Sequence, residues 1–166
     1  MSLLIYAYRR QQIIQKKSAI NLRLMEMRQS LLDAQTYAST VAKGSVSLSD
    51  LMSCPASMFD RMTKFMFFSH ASAMTGAQQK LGYMSQLYMP QMANQPPAMQ
   101  QQYQFMLEKS LYEQERERFS QVEAKILNKQ NTKAEQEVAR LETQLKLLEQ
   151  EETSVKESED KAAQGK

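Results

Sequence analysis

The chain has 166 residues, thirteen of them methionine, with four glycines, four prolines, one cysteine and no tryptophan. Gly and Pro punctuate strands and turns, so their scarcity argues against a sheet-rich or many-looped enzyme fold, and residues of high helix propensity dominate instead. The formal net charge of +3 is small but unevenly spread: Lys and Arg outnumber Asp and Glu by seven to three in residues 1–50, whereas acids lead by fourteen to eleven in residues 105–166.

The predicted fold is all-α and elongated, with two long coiled-coil-like arms and a shorter apolar helical middle. Residues 1–44 form the first arm. Tyr6, Ile13, Ile20, Met27, Ala34 and Val41 recur every seven residues, and Leu24, Leu31 and Ala38 fill the intermediate positions. That spacing is the seam of a coiled coil, with Ile20, Leu24, Met27 and Leu31 at its centre. Arg10 and Lys17 interrupt it near the start. Gly44, after Lys43, suits a left-handed helix end.

Residues 45–57 read as a Ser/Pro linker. Ser47 with Asp50 has the spacing of a short capped turn, and Pro55 breaks any helix that would pass through it. Ser57 and Asp60 are the expected cap of the next helix.

Residues 58–89 form the Met/Phe-rich middle. Met58, Met62, Phe65 and Met66 lie on one helical stripe, Phe59 widens it, and Phe68, Met84 and Leu87 extend the apolar surface. A helix apolar around most of its girth is normally covered on several sides. Unbranched, polarizable Met suits surfaces that adapt on assembly. These eight residues are the expected protein interface.

Residues 90–97 form a Pro/Gln-rich connection. Residues 98–155 form the second arm, with Phe105, Tyr112, Phe119 and Ile126 in heptad steps and Val122 between the last two. After a stutter at Asn128–Gln130–Asn131, the seam resumes through Val138, Leu141, Leu145 and Leu148. Residues 156–166 lose the apolar pattern and read as a disordered charged tail.

Catalytic and metal motifs are missing. Zinc sites of the usual kind need three or four His or Cys ligands, and the chain has only His70 and Cys54. It lacks both the G-x-x-x-x-G-K-[ST] and the G-x-G-x-x-G phosphate loops. No catalytic, cofactor-binding or metal residues are therefore assigned, and no cofactor. The basic group Arg9, Arg10, Lys16 and Lys17 could neutralise phosphates, but a solvated face or a contact with the acidic arm explains it as well, so nucleic acid is not the expected partner.

No window has the length and hydropathy of a membrane-spanning helix. The apolar stretch Leu3–Tyr8 is followed rather than preceded by Arg9-Arg10, unlike a Sec-type signal. The single cysteine fits a cytoplasmic protein or one exported without such a signal, and the compartment stays unassigned. The expectation is a non-enzymatic structural or self-assembly protein, a subunit of a helical oligomer, filament, secretion machine or virion, whose partner is a further copy or another helical protein. The alternatives are an adaptor holding a partner's amphipathic helix and a secreted membrane-active effector.

Overall fold

The computed structural model describes residues 3–44 and 46–164. It is all-α: α1 Leu3–Ala42, α2 Leu48–Met52, a 3₁₀ turn Ala56–Met58, α3 Phe59–Met92 and α4 Pro97–Ala163. Chain contacts divide it into two units, Met1–Leu32 with Gln130–Lys166, and Asp33–Lys129.

In the first unit, the early part of α1 packs on the late part of α4. On α1, Ile13 and Leu24 are buried, and Tyr6, Ile20, Met27 and Leu31 are half-buried around them. On α4, Asn131 and Leu141 are buried, with Ala134, Val138, Leu145, Leu148 and Val155 half-buried. One narrow stripe per helix is what a pair of helices can cover. Cations of α1 meet carboxylates of α4 along its edges: Arg9 with Glu151, Arg23 with Glu137 at 3.2 Å, and Arg28 with Glu142 at 2.5 Å. The two charges that interrupt the α1 stripe have acidic neighbours too. Lys17 Nζ donates to Glu152 Oε2 at 2.7 Å, and Arg10 lies 3.6 Å from Glu159. The hydrogen bond holds the Lys17 ammonium above its ordinary pKa and the Glu152 carboxyl below its own. Residues near the start of α1 pair with residues near the end of α4, so the two helices run antiparallel.

The second unit contains a core built from every long helix. Tyr37, Ala38 and Val41 from the end of α1, Val46 from the connection, Met62 and Phe65 from α3, and Leu127 from α4 form one buried cluster. Leu51, Cys54, Met58, Met66, Phe119 and Ala124 pack around it. Gly44 ends α1 with φ +92°, the left-handed conformation that lets the chain turn back. Two side chains of α4 tie this turn down. Ser120 Oγ donates to the Gly44 carbonyl at 3.1 Å, and Arg116 Nη2 donates to the Val46 carbonyl at 3.0 Å. The linker is not featureless. Ser47 and Asp50 form a reciprocal capping box at the start of α2, which holds the Asp50 carboxyl below its ordinary pKa.

Beyond the core, α3 and α4 form a hairpin. Ser69, Ala73 and Ala77 are buried on α3 and Leu111 and Glu115 on α4. Small residues let the two backbones approach. A Cβ on Gly76 would sit 3.3 Å from the Glu115 side chain. At the turn, Gln100 Nε2 donates to the carbonyls of Met92 (3.0 Å), which also accepts from the Gln95 backbone N–H, and Gln95 (2.9 Å).

The structure differs from the sequence expectations at four places. Ser57 does not cap α3; its hydroxyl donates to Asp33 Oδ2 at 2.5 Å, and the cap position is Met58, without a side-chain hydrogen bond. Helix α3 continues through Pro90 to Met92, because a proline in the last turn removes only one ladder bond. Helix α4 runs to Ala163 rather than fraying after Val155; Glu159, beside Arg10, lies on that extension. Gly165 and Lys166, the end of the expected tail, lie outside the described residues. Finally, Val122 and Ile126 are exposed, while Ser120 and Leu127 are buried. At Leu127 the face of α4 in use is turned from Val122 and Ile126, because the end of α1, the connection after it and α3 close on Leu127 together in one cluster.

Candidate interaction surface

The surface is best read from the polar side chains that fix the hairpin, then from the apolar ones left outside. Glu123 sits between two helices: Arg61 Nε of α3 donates to its Oε1 at 2.8 Å, and the Tyr37 hydroxyl of α1 donates to the same oxygen at 3.2 Å. The Arg61 guanidinium also lies over the Tyr37 ring, 5.8 Å from its centroid. Burial, reinforced by the Glu123 charge, pushes the Tyr37 hydroxyl far above its ordinary pKa. Further along, buried Glu115 is paired with Lys80 and lies 3.6 Å from Arg118. On the opposite flank, His70 Nδ1 and the Tyr112 hydroxyl are hydrogen-bonded at 2.5 Å, and Arg116 stacks over the Tyr112 ring at 5.7 Å. These contacts fix the rotation of α3 against α4, and so decide which apolar side chains face out.

The eight expected interface residues divide three ways. Met62 and Phe65 are buried in the chain's own core, and Met58, Met66 and Met84 are half-buried. Phe59, Phe68 and Leu87 are exposed, at 47%, 59% and 52%. Phe68 meets Phe119 edge to face, with centroids 5.6 Å apart. Phe67, outside the expected set, is 65% exposed. It borders an open groove of about 260 Å³ with Val46, Leu48, Met66, His70 and Arg116. Of the seam residues, Ile20, Leu24, Met27 and Leu31 on α1, with Val138, Leu141, Leu145 and Leu148 on α4, lie in the packed stripe of the first unit. Phe119 is half-buried beside the second unit's core.

The end of the hairpin has a separate character. From Leu81 to Leu107 no residue carries a charge. Inside, Leu81, Tyr88, Met92, Tyr103 and Leu107 line a contact that leaves a void of only about 10 Å³, and Gln104 Nε2 approaches Met89 Sδ at 3.5 Å. Outside, Tyr83, Leu87, Met99, Phe105 and Met106 are all more than half exposed. The signal for this feature lay in the spacing of charges, from Lys80 to Glu108, and not in the apolar periodicity.

The remaining reactive groups are apart in their partners. Cys54 is half-buried, its Sγ 3.5 Å from the Pro55 carbonyl, and burial raises its thiol pKa. Among the described residues, no three His, Cys, Asp or Glu side chains gather as metal ligands, and no helix is long and apolar enough to cross a membrane. No family model matches the chain, and neither a curated protein nor a solved structure matches it.

Proposed function

We propose that this chain is a non-enzymatic helical subunit that associates with copies of itself. One observation carries the reading: after α3 and α4 have packed, Phe59, Phe67, Phe68, Tyr83, Leu87, Phe105 and Met106 still face solvent within one unit. Aromatic and methionine side chains are the residues enriched at interfaces, and an exposed apolar patch normally marks an interaction site. In this reading, the α1–α4 stripe of the first unit acts as a two-stranded antiparallel coiled coil.

Light scattering over a concentration series tests the proposal. The expected result is a rise in mass from low to high micromolar concentration. A single monomeric mass across the whole range, with full helicity, would sink it. The groove beside Phe67 favours a second reading, an adaptor that receives a partner's amphipathic helix, since such grooves offer apolar pockets at helical spacing. A scattering curve that stays monomeric alone, but shifts when an amphipathic peptide is added, would favour it.

A further inference from the structure

We infer that the charge-free end of the α3–α4 hairpin is the self-association site, joining like to like with the same end of a second copy. This rests on the self-assembly reading above and narrows it to one place. Charge decides the occupant. A surface that binds a charged partner carries complementary charge, and from Leu81 to Leu107 there is none. Two copies brought together there meet no like-charge repulsion, although each chain carries +3 overall.

The chemistry of the exposed groups fits the same occupant. Tyr83 and Tyr103 present apolar rings with a hydroxyl that can find a partner. Met99 and Met106, seven residues apart on α4, fall on one side of the helix two turns apart, and Met repacks readily against aromatic rings. Between them lie the exposed Gln101 and Gln102, whose amides both donate and accept and so can pair with an identical amide. Those amides disfavour a hydrocarbon environment, where unpaired polar groups are costly.

Size sets the expected strength. Large apolar and aromatic side chains cover on the order of 150–250 Å² each. Tyr83, Leu87, Met99, Phe105 and Met106 are each more than half exposed. A contact that uses most of them on both copies removes on the order of 1,000 Å² in total, near the lower limit of a specific interface. The association is therefore weak and depends on concentration.

The test is Leu87→Lys combined with Met99→Lys, both at exposed positions, set beside Phe67→Lys on α3 outside this end. Circular dichroism and melting establish that each variant is folded. By light scattering, the double variant should shift the association midpoint upward by at least about tenfold, and Phe67→Lys should leave it near wild type. A second measurement does not depend on the fold of that variant. Met99→Cys in a Cys54→Ser background should give disulfide-linked dimers on mild oxidation, and Gln144→Cys in the same background should not. If the wild type associates and the double variant does so equally well, the inference fails while self-assembly stands. If the wild type never associates, the self-assembly reading itself is lost. Flotation of wild type, but not the double variant, with vesicles of phosphatidylcholine and phosphatidylserine, without dimers, would assign this end to a lipid surface and overturn the inference.

Discussion

At the scale of single residues, close approach and buried polar atoms set the sharpest expectations. Gly76 and Gly82 both lie in α3, where Gly costs up to about 1 kcal/mol relative to Ala. Nothing lies within 4 Å of a Cβ added at Gly82, whereas one at Gly76 meets the Glu115 side chain at 3.3 Å. Thermal melts should therefore show Gly82→Ala stabilised by about 0.5–1 kcal/mol and Gly76→Ala short of that, because Glu115, 5% exposed and paired with Lys80, must shift. Equal gains would mean that the approach at Gly76 is not tight. Tyr37 sets a pH dependence. Its hydroxyl pKa is raised in the fold, so the protonated form is favoured there. The stability this contributes is full below the ordinary value of 10.0 and declines as pH rises above it. Denaturant melts between pH 8 and 11 should show stability falling at the alkaline end, and Tyr37→Phe should remove that part of the fall. An unchanged alkaline slope in Tyr37→Phe would assign the loss to other groups.

At the scale of elements, the register of α4 separates what periodicity reveals from what packing chooses. The heptad Phe105, Tyr112, Phe119, Ile126 is real in the sequence, yet only its middle is half-buried and its ends turn outward: Phe105 is 67% exposed and Ile126 44% exposed, while Leu127 is 1% exposed in the core. The best apolar stripe is the natural reading when the neighbour is unknown. Here the neighbours are the end of α1, the turn at Gly44 and α3 together, and the turn takes hydrogen bonds from Ser120 and Arg116. Those bonds rotate the used face away from Ile126. Leu127→Ala should accordingly cost about 2–5 kcal/mol, and Ile126→Ala less than about 1 kcal/mol, read as the difference in denaturant midpoint. A reversed order would restore the heptad line as the packed face. The linker was legible in part. Ser47 and Asp50 carry their cap in four residues of local sequence, whereas the Ser57 hydroxyl goes to Asp33, a partner far off in the chain that local pattern cannot reveal.

At the scale of the whole molecule, composition and apolar spacing together determined the class. Few glycines and prolines, many helix formers and a sustained three-four spacing admit helices and little else, because hydrogen bonds within a helix are local and its period is printed in the residue order. The long first arm, the glycine at its end, the apolar middle and the second arm were all legible for that reason. So was the opposite sign of the arms, which the structure turns into ion pairs between α1 and α4 within one unit. The stripe of Met58, Met62, Phe65 and Met66 was legible from its spacing; tertiary structure alone decided that the chain's own helices cover it and leave its flanks outside. Met62 and Phe65 went inside and Phe67 and Phe68 stayed out, although all four are equally apolar. The choice depends on how α3 is rotated against α4, and that rotation is set by contacts such as Arg61 with Glu123 and His70 with Tyr112, whose partners lie 62 and 42 residues apart. Sequence periodicity describes one helix at a time; burial is a property of the pair.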